Sequence, residues 1–217
     1  MRILCVVPSL PEDLNPACLP AIRSQTVPVQ KIMLLTERVR GGVLSQKVSY
    51  VINKALAQIC LEDFDYLLRV DGDTVLPPDY VEKCLRLKPD LCGDWGYVML
   101  IRVAPFMRLM NGRFHLEGDD SYITHKFIAE GAKVVKTDVN IVQTRKRPHS
   151  VAEVMARGTI YYQLGYEPLH LLFGLRNIGP RTYVLIVAGY FSALIKRKAK
   201  FDVANYVWHH QTRIRTI

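Results

Sequence analysis

The stretch that most constrains this chain is residues 66–78, YLLRVDGDTVLPP, in which an apolar run stops at two aspartates, Asp71 and Asp73, one residue apart. Tyr66, Leu67, Leu68 and Val70 form a short, nearly continuous apolar run between turn formers, the pattern of an interior parallel strand buried on both faces. Gly72 permits a tight backbone at its end, and Pro77-Pro78 prevents the strand from continuing. Two carboxylates this close repel each other unless a cation or hydrogen-bond donors compensate them. The pair therefore points to a divalent metal with oxygen ligands, magnesium or manganese. Ligands of open α/β sheets bind beyond the carboxyl ends of the strands, which is where these aspartates leave. Asp63 and Asp65 repeat the same spacing eight positions upstream. They precede the strand, so placement and not spacing separates the two pairs.

The flanking sequence predicts the rest of a wound sheet. Residues 2–7 and 31–36 read as strands, separated by a short helix that holds Leu14, Leu19, Ile22 and Gln25. Residues 43–60 carry an apolar stripe at helical spacing (Leu44, Val48, Val51, Ile52, Ala55, Leu56, Ile59). Strand and helix alternating in this way indicate a parallel sheet built by crossovers. Further on, residues 79–87 read as a helix and residues 91–93, 97–103 and 133–137 as strands. Asn111-Gly112 reads as a turn in the antiparallel manner, and residues 122–130 as a helix ended by Gly131. Ser150 and Glu153 form a capping box, predicting a helix from Ser150 to about Leu164 that stops at Gly165. Pro168 and Pro180 favour two further helix starts. The organisation expected is a core over residues 1–149 and a helical C-terminal extension over 150–217.

Charge separates these parts. Residues 1–142 hold 17 Lys and Arg against 17 Asp and Glu, whereas residues 143–217 hold 12 against 3. A neutral body with a basic tail argues against a general nucleic-acid binder and for a localised anionic partner. Residues 182–195 are apolar all round and are followed at once by Lys196, Arg197, Lys198 and Lys200. A bilayer crossing takes about 20 apolar residues, so this segment reads as a helix lying in a membrane interface, its basic flank drawn to anionic headgroups. Packing against the core is the alternative for it. The cysteines (Cys5, Cys18, Cys60, Cys84, Cys92) form no CxxC pair and sit mostly among apolar residues, the pattern of reduced thiols in a cytoplasmic protein.

Taken in order, the motifs resemble the family 2 glycosyltransferases of the GT-A fold. VVPSLPED is similar to that family's first strand and following loop. LPAIRSQTVP resembles its L-x-A-L-x-S-x-x-x-Q-T-x-P region in shortened form. Asn53 in NKAL matches the asparagine of the helix before the aspartate pair, VDGDTVLPPDYVEK is similar to the DADT-x-L-x-P-D-Y segment, and GDDSYITHKFIAEGAKV looks like the segment carrying the catalytic base. The likeness covers nearly the whole chain, with RGTIYYQLGYEPLH and DVANYVWHHQTRIR resembling a C-terminal extension of bacterial and archaeal members. Two positions depart from the pattern. Thr36-Glu37-Arg38 stands where relatives place two acidic residues that read the nucleobase, and Asp119 stands for the glutamate before the base.

The resemblance implies a GT-A, Rossmann-like, mostly parallel mixed sheet flanked by helices. It implies that Asp71 serves the nucleotide of a nucleoside-diphosphate sugar, that Pro8 and Ser9 lie under that nucleotide, and that Asp73 helps hold Mn2+ or Mg2+ on the diphosphate. His149 falls where some relatives have a third metal ligand or a diphosphate contact. Asp120 would be the base of a single inverting displacement onto a glycan or lipid-linked hydroxyl. A diphosphate leaving group gains negative charge as its bond breaks, and Arg145 and Arg147 are placed in sequence to stabilise it. The expected enzyme is cytoplasmic and peripheral on the cytosolic face of a membrane, with an anionic membrane surface and no nucleic acid as partner. A non-catalytic relative of the same fold that binds membranes or polyanions is the alternative. A sugar-1-phosphate nucleotidyltransferase would need a Gly- and Arg-rich loop after the first strand, which residues 7–11 lack.

Overall fold

The structure is a computed structural model. It describes residues 1–94 (Asp94 by its backbone alone), 96–137, 139–144, 149–169, 171 and 178–210, and the chain divides into two compact units, Met1–Arg147 and Pro148–Ile217.

The first unit is a six-stranded sheet in the order β2-β1-β3-β6-β5-β7, where β1 is Ile3–Pro8, β2 Lys31–Leu35, β3 Tyr66–Val70, β5 Leu91–Asp94, β6 Val98–Arg102 and β7 Val134–Lys136. β1 pairs in parallel with β2 and β3, β7 in parallel with β5, and β6 runs against both its neighbours. The continuous apolar runs predicted to be interior strands are interior: β1 is buried through Val7 and β3 from Leu67 to Val70. Alternate residues face opposite ways along a strand, so each face of the sheet carries its own core. Leu4, Val6 and Leu67 pack with Ile52, Phe106, Ile123 and Phe127 from α2 (Leu44–Leu56), α4 (Val103–Met110) and α5 (Asp119–Ala129). Ile3, Cys5, Leu68 and Val70 pack with Cys18, Ile22, Tyr80 and Cys84 from α1 (Cys18–Arg23) and α3 (Tyr80–Arg86).

Three expectations change. Asn111-Gly112 is not a hairpin turn: α4 follows β6 directly, and Asn111 closes it in the left-handed conformation at φ 51°, its N–H donating to the Phe106 carbonyl. Pro105 is tolerated in this helix because it lies in the first turn, where no intrahelical N–H is required. The antiparallel hairpin is formed instead by β5 and β6. α2 ends at Leu56, ahead of a 3-10 turn at Leu61–Asp63 that buries Leu61. α5 starts at Asp119 rather than residue 122, because Gly118 at φ 59° takes the cap position.

His125 lies in α5 and is 7% exposed, and burial pushes its imidazole down from 6.5 to about 4. The unfolded chain therefore binds a proton that the folded chain refuses as pH falls from about 6.5 to about 4. Stability should fall over that window by up to about 3 kcal/mol. Urea unfolding across it should show a flatter pH dependence for His125→Gln than for the natural chain; an identical slope would remove His125 as the cause.

The second unit is helical: α6 (Val151–Gln163), α7 (Pro180–Ile195) and α8 (Ala204–His210). The predicted capping box is present, with the Ser150 hydroxyl accepting from the Glu153 N–H and the Glu153 carboxylate accepting from the Ser150 N–H. Pro180 occupies the first turn of α7, and Pro168 is likewise helical. α6 and α7 touch backbone to backbone. A Cβ on Gly158 would lie 1.9 Å from the Ile186 carbonyl oxygen, and one on Gly189 2.0 Å from that of Met155. No side chain fits at either crossing point. Among the described residues no helix is long and apolar enough to cross a membrane.

Candidate active site

The site gathers at the carboxyl end of β3. Past Val70 the chain is pinned from several sides: the Asp71 N–H donates to the Tyr97 carbonyl at 2.8 Å, and the Asp71 carbonyl accepts from Thr74 N–H at 3.0 Å and from the Cys18 thiol at 3.8 Å. Gly72 lies directly over Ser9, whose Cβ and Oγ would both be 2.2 Å from a Cβ built there. A residue without a side chain is thus required between the aspartates, and this contact brings the loop of Pro8 and Ser9 beneath them. The look-alike Asp63 and Asp65 are both exposed, as their position before the strand predicted.

A two-stranded ribbon that sequence reading missed fixes Asp73. β4 (Thr74–Val75) pairs antiparallel with β8 (Val142–Gln143). Thr144, next in the chain, then bonds the Asp73 carbonyl through its N–H at 2.9 Å and its hydroxyl at 3.1 Å. Asn15 of the β1–α1 loop donates to that same hydroxyl at 2.7 Å. Three segments far apart in sequence are locked around one aspartate. Arg145 follows Thr144 in the chain; Arg145 and Arg147 lie outside the described residues.

The residue most clearly missed is Arg69. It is on β3, on the same face as Leu67 and Asp71, and is 5% exposed. Its guanidinium bonds Asp119 closely at the start of α5 and lies 3.4 Å from the Asp71 carboxylate. Burial opposes its charge; Asp119, Asp71 and Asp120 more than offset this and hold Arg69 above its ordinary value. Burial pushes the Asp119 carboxyl up, against the pull of Arg69, and the adjacent Asp120 pushes it further. The Arg69 guanidinium also stacks over Phe114 at 5.9 Å. Asn53 holds that residue in turn, its amide donating to the Phe114 carbonyl at 2.8 Å while its carbonyl accepts the Phe114 N–H at 2.7 Å. A chain of contacts therefore runs from Asn53 through Phe114 and Arg69 to the two acidic positions.

Asp120 is half-buried beside this cluster. One carboxylate oxygen accepts the Ser121 N–H at 2.8 Å; the other would be 3.1 Å from a Cβ on Gly96, in the β5–β6 turn. The arrangement can keep a carboxylate in place with one oxygen not used by Ser121. Of the residues singled out from sequence, Pro8, Ser9, Asp71 and Asp73 lie together, and Arg69 links Asp71 to the Asp119-Asp120 pair. His149 opens the second unit, its ring 3.3 Å from Arg157 and 3.8 Å from Glu153. At the departing Thr36-Glu37-Arg38, Glu37 pairs with Lys54 at 2.7 Å and Arg38 with Glu12 at 2.5 Å.

Among the described residues no group of three or more His, Cys, Asp or Glu side chains converges as a metal cage. Asp73, a half-buried carboxylate at the strand exit, fits a different mode, in which magnesium or manganese takes one or two protein carboxylates and completes its shell with substrate phosphates and water.

Comparison with solved structures gives the same architecture. The mannosyltransferase PcManGT from Pyrobaculum calidifontis, in complex with GDP-Man and Mn2+, aligns over 97% of this chain and 79% of its own at 16% identity and a TM-score of 0.58. TarS of S. aureus aligns over 89% of this chain and 49% of its own at 12% identity and a TM-score of 0.53. No family model and no curated protein sequence matches the chain. The fold is that of the GT-A glycosyltransferases, a six-stranded, mostly parallel mixed sheet flanked by helices.

Proposed function

We propose that the chain is a nucleotide-sugar glycosyltransferase that moves a sugar, with inversion and with the help of Mn2+ or Mg2+, onto a hydroxyl of a glycan or lipid-linked acceptor. The observation that carries this reading is the junction at the carboxyl end of β3, where Asp71 and the Asp119-Asp120 pair meet one buried arginine. In this reading Asp71, over Pro8 and Ser9, binds the nucleotide, and Asp73 is the principal metal-side carboxylate. A bound metal would neutralise charge on the diphosphate. Arg145 and Arg147 do the same as that group leaves with the electron pair of the anomeric C–O bond. Asp120 accepts the proton of the acceptor hydroxyl while its oxygen bonds the anomeric carbon from the opposite face. The enzyme works in the cytoplasm, peripheral on the cytosolic face of a membrane.

The test is a panel of UDP-, GDP- and dTDP-sugars measured by calorimetry and turnover, with and without Mn2+ or Mg2+. At least one donor should bind and be transferred or hydrolysed. Asp73→Ala should weaken metal-dependent binding about tenfold or more while leaving metal-free nucleotide binding in place; Asp71→Ala should weaken both. If every donor fails to bind and both variants behave as the natural chain does, the proposal is wrong.

A further inference from the structure

We propose that one face of α7 is a docking surface for an anionic lipid bilayer, with the helix lying in the plane of the interface. This gives the peripheral placement a definite surface. It stands whether or not the first unit transfers sugar, because membrane binding is read without catalysis.

α7 has two unlike sides. Ile186, Gly189, Tyr190 and Ala193 are buried, and the close glycine crossings put α6 against that side. On the opposite side Val184, Ala188, Phe191 and Ile195 are exposed, Val184 to 61% and Ile195 to 80%. Their spacing of four, three and four residues places them on one stripe. Exposed apolar side chains in a continuous row mark an interaction surface.

The charges at its ends identify the partner. Arg181 is exposed in the first turn, and Lys196, Arg197, Lys198 and Lys200 are all exposed just past the last. From residue 168 to the end of the chain there are eight Lys and Arg and one acidic residue, Asp202. A second copy laid on this face would bring like charges together. An acidic peptide would meet a stripe that offers only hydrocarbon, with no side-chain donor or acceptor to satisfy its backbone. A bilayer with anionic headgroups accepts both parts, hydrocarbon below and negative charge above, with long basic side chains reaching up to the phosphates. Trp208 on α8 is 45% exposed, with the Lys200 ammonium 5.6 Å from its ring, an aromatic and a cation of the kind found at headgroup depth. At about 1.5 Å per residue, 16 residues span about 24 Å, short of a hydrocarbon core of about 30 Å, so the helix lies along the surface.

The experiment is co-sedimentation of the full chain with phosphatidylcholine vesicles and with vesicles of phosphatidylcholine mixed with phosphatidylglycerol. The natural chain should pellet with the mixed vesicles, much less with phosphatidylcholine alone, and progressively less as salt rises. Val184→Glu/Ile195→Glu alters only exposed positions, so helix content should be unchanged while vesicle affinity falls about tenfold or more. Lys196→Gln/Lys198→Gln should lower affinity by about fivefold for each charge removed. The proposal is overturned if the natural chain does not bind the mixed vesicles at low salt. It is equally overturned if either variant binds them as the natural chain does, or if the glutamate variant dissociates a dimer in sedimentation without changing vesicle binding.

Discussion

Arg69→Met is expected to abolish sugar transfer and to destabilise the first unit by about 3 to 5 kcal/mol, the cost of leaving one partner of a buried ion pair without the other. The substitution keeps an apolar stem on β3 but removes the cation against which Asp119 is held. Asp119, already pushed upward by burial, would have to take up a proton or rearrange, and the start of α5 would lose its tie to β3. Arg69→Lys should recover part of the stability and little of the transfer, because one ammonium cannot reach both Asp119 and Asp71 as the fork of a guanidinium does. The double variant Arg69→Met/Asp119→Leu separates the two roles. With Asp119 gone as well, the most deeply buried partner of Arg69 no longer stands without its cation, and only the more exposed Asp71 loses a contact, so stability should return to within about 1 to 2 kcal/mol of the natural chain. Transfer should stay lost, with kcat reduced far more than the affinity for donor. Thermal unfolding and steady-state kinetics on the three variants decide the matter. Transfer that recovers together with stability would reduce Arg69 to a structural residue.

That arginine also shows where sequence reading stops. The run of residues 66–70 was read as a buried strand because its neighbours are apolar, and it is one. Asp71, two residues on, supplies only part of the charge that lets Arg69 sit inside it: the closer partner is Asp119, 50 residues on, brought back by the chain through β4, α3, β5, β6 and α4. The β4–β8 ribbon was hidden for a different reason, since strands of two residues each are too short to show any periodicity. α4 is hidden behind Asn111-Gly112, a pair that suits a hairpin turn as well as it suits the left-handed end of a helix. The locally legible features are the exit of β3 at Asp71, the Ser150 capping box and the start of α7 at Pro180. Each is fixed by residues within a turn or two of itself. The apolar run of residues 182–195 reads equally as core or interface because its two sides differ, one packed against α6 and the other exposed.

Asp120→Asn is expected to lower the rate of transfer by about a hundred- to ten-thousand-fold, the usual contribution of a positioned general base, while donor binding stays within a factor of about two. The amide is nearly isosteric with the carboxylate, and its carbonyl oxygen can still accept the Ser121 N–H that positions Asp120 now. Arg69 keeps Asp119 and Asp71 as its direct partners, so stability should change by less than about 1 kcal/mol. What disappears is the ability to accept a proton, and only a step that moves one should register it. Gly96→Ala makes the complementary test, since it leaves the carboxylate in place but sets a methyl group 3.1 Å from its second oxygen, at a backbone φ of 101° that favours glycine. If that oxygen is the one that meets the acceptor, Gly96→Ala should raise the KM for acceptor with little change for donor, whereas Asp120→Asn should act on kcat. Asp120→Asn retaining natural transfer rates would assign the proton to another group. In that event Asp119 is poorly suited to replace it, because its carboxylate is buried and bound to Arg69.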